Sequence, residues 1–143
     1  MNDEIKMTGW VKTIMTGADG SEEVEESSNL VVTAGRNHAA GRMKPSPPNA
    51  MSHIAVGSGS SVPDVGQTAL VAELARKSAG VGGTGNSVTY SVTFGPGEGT
   101  GDITEAAILN AAAAGDMLSR VVFSVRQKTA EKSLTIIWTI TFN

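Results

Sequence analysis

Residues 86–94 read NSVTYSVTF. Val88, Tyr90, Val92 and Phe94 fall on one side of this stretch and Ser87, Thr89, Ser91 and Thr93 on the other. That period-two alternation belongs to a strand with one face in a core and the other toward water. Residues 134–142, LTIIWTITF, repeat the signal, with Leu134, Ile136, Trp138, Ile140 and Phe142 expected inward and Thr135, Thr139 and Thr141 outward. Between them Met117–Val125, rich in Val and Phe, adds a third strand, and Arg126–Lys132 reads as a polar connection. These strands are expected to form the core sheet.

Seventeen glycines and many short apolar runs between turn signals extend the same reading to the whole chain. They favour a mainly β protein, an antiparallel β-sandwich or jelly-roll-like barrel with one or two short helices, in a single domain spanning 1–143. At 143 residues the chain is long enough to bury a core without staples. Only 4% of residues are aromatic, so that core rests on Val, Ile, Leu, Met and Ala. Two outcomes suit so thin a core: neighbouring subunits cover part of the apolar surface, or the chain is a monomer with an aliphatic core.

Toward the N-terminus, residues 1–32 read as a hairpin. Ile5–Thr16 and Glu22–Val32 flank Gly17-Ala18-Asp19-Gly20, and Asp-Gly suits a turn that needs positive φ. On the first strand Ile5, Met7, Val11 and Met15 share a face, leaving Lys6, Thr8 and Lys12 on the other. Trp10 and Ile14 lie on that polar face. Either the sheet is buried from both sides, or these two residues form a subunit contact of the kind in which Trp is enriched. Glu22, Glu23, Glu25 and Glu26 read as a solvated strand face. Such an acidic edge discourages unwanted strand pairing and suits a basic partner.

Thr33–Met43 is expected to be a short helix with Thr33 as its N-cap, weakened by Gly35 and Gly41. Residues 44–50, with Pro45, Pro47 and Pro48, lack the backbone donors of a helix or central strand and read as an extended connection or arm. Pro47 and Pro48 join Trp10, Ile14 and the four glutamates as candidate contact residues. Residues 54–56, Ile-Ala-Val, read as a short strand running into the small residues Gly57–Ser61, and Pro63-Asp64 as a turn. Thr68–Ser78 fits a helix presenting Leu70, Val71 and Leu74, or an irregular extended segment.

Several function classes find little support. Cysteine is absent, which removes disulfides and thiolate metal sites. A net charge of -3 does not argue for nucleic acid or an anionic membrane. Seven acids and two lysines fall within Met1–Glu26, against seven acids and nine basic residues after it. No apolar run approaches the ~18 residues of a membrane span, and the N-terminus lacks the pattern of a signal peptide. Gly80–Gly85 matches G-x-G-x-x-G, but a strand rather than a helix follows it, which argues for a hairpin connection and against a dinucleotide cradle. His38 and His53 lack metal-ligand spacing, and His53 reads as a strand-start residue satisfied by backbone. Glu73, Arg76, Glu105 and Arg120 are candidates for ion pairs that fix loops, with no nucleophile identifiable beside them. No catalytic, cofactor or metal residues emerge, so an enzyme is the least favoured class.

One set of motifs goes further. Ile54-Ala55-Val56-Gly57-Ser58-Gly59, then Thr68-Ala69-Leu70 and Glu73 with Arg76, resembles the N-terminal module of tail-collar fibre proteins of tailed bacteriophages. Small stand-alone virion proteins related to that module share Thr93–Gly97, Ile103–Ala106, Phe123 and the Leu134–Ile140 ending. The resemblance covers roughly residues 29–142 and carries no reaction with it. It implies a virion structural protein made in the host bacterial cytoplasm. A capsid decoration or cement protein would touch copies of itself and the major capsid protein. The alternative, a tail, collar or fibre-attachment component, would touch tail or portal proteins. A carbohydrate-binding β-sandwich is a remoter alternative, with Trp10 as its platform.

The resemblance also bears on residues 102–115, DITEAAILNAAAAG. A capping box and an alanine-rich run favour a helix there on propensity. In the family, the equivalent of Ile103-Thr104-Glu105-Ala106 opens a strand, and a strand is the expectation here.

Overall fold

The structure, a computed structural model, describes residues 4–143. Ten strands and one helix are found there: β1 (Met7–Thr16), β2 (Glu22–Ser28), β3 (Leu30–Val31), α1 (Thr33–Arg42), β4 (His53–Gly57), β5 (Glu73–Ser78), β6 (Gly80–Gly82), β7 (Ser87–Phe94), β8 (Gly101–Leu109), β9 (Met117–Lys128) and β10 (Ser133–Phe142). They form two five-stranded antiparallel sheets packed face to face. Sheet A runs β2-β1-β10-β7-β6 and sheet B runs β3-β9-β8-β4-β5. This is the β-sandwich of the sequence reading. Each sheet ends in open edges, so the barrel alternative does not hold.

Alternation builds the space between the sheets. Val11 and Met15 from β1, Tyr90, Val92 and Phe94 from β7, and Leu134, Ile136, Trp138 and Ile140 from β10 meet Ile54, Val56, Ile103, Ala106, Ile108, Val121 and Phe123 from sheet B. Phe142, expected inward, is 36% exposed and lies with Met7, Val88 and Ile140 in the wall of a groove at the end of the sandwich. Strands β7 and β10 lie in one sheet and β9 in the other, so the three strongest strand signals do not share a single core sheet. Alternation reports which face is buried, not which sheet a strand joins.

Chain crossings close both flanks. Hairpin β1–β2 pairs from Thr16–Glu22 to Trp10–Ser28. The expected second arm, Glu22–Val32, then breaks at Asn29, and Leu30 and Val31 cross to pair with Arg120 and Ser119 of β9. Gly9 makes the crossing possible, since a Cβ there would stand 1.8 Å from Asn29 Oδ1. On the opposite flank, Ala79 carries the chain from β5 in sheet B to β6 in sheet A.

The outer face of sheet B is covered. Val32, Ala55, Ala107, Leu109 and Met117 form a second apolar cluster against Ala34 of the helix and Leu70. Gly35 lets α1 lie close, because a Cβ at this position would meet Leu118 O at 2.1 Å. The N-cap is Val32 rather than Thr33, with an extended backbone and no side-chain cap bond. The amide of Thr33 instead donates to Val65 O at 2.8 Å, tying the helix start to the loop above it.

Three further readings are corrected or resolved. Thr68–Ser78 holds no helix: residues 68–72 are irregular and Glu73–Ser78 is β5, paired with β4. Strand β9 continues through Lys128, so the polar connection shrinks to residues 129–132. Residues 101–109 form strand β8, paired with both β4 and β9, and the helix that propensity favours is absent there. Pairing on both edges overrides the preference of the alanines.

Candidate interaction surfaces

The outer face of sheet A is uncovered by any other described element. Trp10 is 50% exposed on it, in register between Ser28 of β2 and Thr139 of β10. Ile14 lies half-buried between Val24 and Thr135. This sheet is therefore not buried from both sides within the chain. Around these two residues runs a lawn of hydroxyls bonded across strands: Ser87 to Thr141 at 3.1 Å and Thr93 to Thr135 at 2.9 Å. Mutually satisfied hydroxyls on a pleated surface leave the indole as the main large apolar projection of that face.

Strand β2 is the free edge of the same sheet, with Glu22, Glu23, Glu25 and Glu26 all exposed. The acidic strand is not wholly a solvated face. Glu25 pairs with Arg126, whose guanidinium lies 4.8 Å above the Phe123 ring. Burial lowers the Arg126 pKa, and Glu23 acts the other way. Glu23 and Glu25 thus seal the flank between the sheets, while Glu22, Val24 and Glu26 project from the outer face and Glu26 lies opposite Lys12.

Pro47 and Pro48 belong to a strap that is fastened rather than a free arm. His38 Nε2 lies 2.8 Å from Asn49 O, so that nitrogen carries the proton. Asn110 Nδ2 donates to the same oxygen at 3.2 Å, and Arg42 Nη1 donates to Pro48 O at 2.7 Å. His53 takes its contact from the Ser52 hydroxyl at 2.7 Å, a side chain rather than the expected backbone.

A groove of about 380 Å³ lies beside this strap, where β1 begins and β10 ends. Met7, Val88, Tyr90, Leu118 and Ile140 line it, with Met51 and the last turn of α1. At its rim Met43 is 89% and Ile5 74% exposed. Sequence reading missed it. Its one local signal is an apolar residue just outside each element, Ile5 before β1 and Met43 after α1.

The four charged residues grouped from sequence form two separate pairs. Glu73 and Arg76 meet at 2.7 Å, and Arg76 also holds the carbonyls of Ala111 and Ala114. Glu105 and Arg120 meet at 2.9 Å with both side chains fully buried. Glu105 accepts further hydrogen bonds from the amides of Gly59, Val71 and Ala72, at 2.8, 2.9 and 2.7 Å. Arg120 Nη1 donates to Ser61 O and Gln67 Oε1, and Thr104 donates to Gly59 O. Burial works to raise the Glu105 pKa, but the bonds from Ala72, Val71, Arg120 and Gly59 outweigh it and hold the carboxyl below the usual glutamate value. This arrangement clamps residues 57–72 onto sheet B. It is a loop anchor in which both carboxylate oxygens of Glu105 accept two hydrogen bonds each.

Gly80–Gly82 is a strand entering a hairpin to β7, which leaves no helix N-terminus for a phosphate. Among the described residues, no group of three or more His, Cys, Asp or Glu is placed to hold a metal ion, and no helix is long and apolar enough to cross a membrane. Compared with known proteins, the chain matches no family model, no curated protein and no solved structure.

Proposed function

We propose that this chain is a structural protein of a tailed-phage virion, a decoration or cement protein that holds neighbouring shell subunits by surface fit. The observation that carries this reading is the outer face of sheet A. A half-exposed Trp10 stands there, on the same face as Ile14 and Val24 with Lys12 and Glu26 between them, on a sheet whose inner face already belongs to the core. A large aromatic on an uncovered, rigid sheet has the character of an interface anchor. The resemblance to virion modules supplies the setting.

A tail, collar or fibre-attachment role is the second reading, favoured by the likeness of Ile54–Gly59 and Thr68–Arg76 to fibre modules. Copy number separates the two. Shell sites repeat on the order of hundreds of times per particle, and sites around a tail axis about a dozen. Quantitative mass spectrometry of purified virions against the major capsid protein is expected to give the higher figure. A count near a dozen moves the chain to the tail, and its absence from particles ends both readings. A carbohydrate-binding role has its own signature, glycan-array binding that Trp10→Ala abolishes.

A further inference from the structure

The apolar groove and the acidic edge lie at opposite ends of one strand. At one end of β1, Met7 pairs with Phe142 beside the groove; at the other, Thr16 pairs with Glu22. Ten residues of strand separate them, roughly 30 Å. The ends also differ in charge. Arg42 lines the groove, Lys44 follows Met43 at its rim, and Lys6, between the lining residues Ile5 and Met7, pairs with Glu4 at 3.9 Å. On β2, Glu25 is held by Arg126, Glu23 acts on the same guanidinium and Glu26 lies opposite Lys12, while Glu22 has no ion-pair partner among the described residues.

Each end lacks what the other has. The groove is walled by Met7 and Met51 with Met43 on its rim, flexible side chains that repack around an inserted group. Tyr90, 8% exposed, lines its wall. Arg42 lines the same groove. At the other end, Val24 is 52% exposed between glutamates. An apolar knob flanked by carboxylates matches an apolar groove flanked by cations.

We propose that copies of this chain associate head to tail, the Glu22–Glu26 edge of one copy seating on the groove between α1 and the start of β1 of the next. Two different patches meet, so the contact is heterologous, and repetition gives a ring or a filament rather than an isolated two-fold dimer. The inference rests on the reading of the chain as an assembly protein.

Sedimentation velocity on the full chain tests it with two surface variants, Met43→Glu at the groove and Glu22→Lys/Val24→Lys at the edge. All three positions are exposed, and thermal melting checks that both variants fold. Wild-type protein is expected to form a concentration-dependent ladder of species that shrinks at high salt, and each variant alone to stay monomeric. Mixed in equal amounts, the variants should form 1:1 dimers and nothing larger, since the mixture retains one intact groove and one intact edge per pair. Wild-type protein monomeric up to about 1 mM in low salt overturns the proposal, as does a mixture that remains monomeric. A monomeric chain still abundant in virions would remove the head-to-tail contact alone and leave the virion reading standing.

Discussion

At Glu105 the energetics of the loop anchor turn on one carboxylate. Four donors converge on it, the amides of Gly59, Val71 and Ala72 and the Arg120 Nε, and Thr104 steadies the loop through Gly59 O. Replacing Glu105 with Ala leaves three amides and a buried guanidinium unanswered. Removing one partner of a buried pair typically costs about 3–5 kcal/mol, and chemical denaturation is expected to show a loss of that order. The pH dependence has a definite sign. The folded pKa lies below the unfolded value, so the stabilisation is complete above the unfolded glutamate pKa of about 4.3 and is lost as pH falls through the folded value. The stability gap between wild type and Glu105→Gln should therefore narrow as pH falls below about 4; a gap unchanged down to pH 2 would contradict the ionised anchor. Pairing four charged residues as loop fasteners was legible in the sequence. That Glu105 reaches Arg120, with Glu73 and Arg76 separate, was not, because it depends on β8 and β9 lying side by side.

Among the elements, α1 depends on its closest approach to sheet B. Gly35→Ala would place a methyl 2.1 Å from the Leu118 carbonyl, a backbone atom that cannot turn aside. The helix must lift, opening the cluster of Val32, Leu109 and Met117 beneath it. A loss of about 1–3 kcal/mol, the range for overpacking, is expected, measured as a lower denaturant midpoint. Gly82→Ala, with nothing within 4 Å of the added carbon, is the control and should change little. The strands with clean alternation, β7 and β10, could be read directly because one face of each meets the core. Strand β5, ELARKS, gives no such signal, since its side chains are exposed or half-buried at an edge. The end of β9 was hidden for another reason: Lys128 is 1% exposed and its Nζ donates to Gly95 O at 2.9 Å, so a residue that counts as polar lies inside. The crossing at Asn29 left no trace in periodicity, because Leu30 and Val31 stay apolar in either sheet.

Across the whole molecule, the two tryptophans separate folding from contact. Trp138 is fully buried at the centre of the sandwich, in register between Val11 and Tyr90, and Trp10 stands on the outer face of the same sheet. Trp138→Ala empties the largest side chain of the core and should cost about 3–5 kcal/mol. Trp10→Ala removes a half-exposed ring from a sheet stitched by its own hydroxyls, and should cost about 1 kcal/mol or less. If the chain works by surface fit, occupancy follows the opposite order. Trp10→Ala should weaken incorporation into particles out of proportion to its melting temperature, whereas a milder core change, Trp138→Phe, should lose occupancy only as far as it loses stability. Fluorescence gives an independent readout, since with Trp138 already dry a blue shift on assembly must come from Trp10 leaving water. Equal losses of melting temperature and occupancy in Trp10→Ala, with no spectral shift on assembly, would place the contact elsewhere on the molecule.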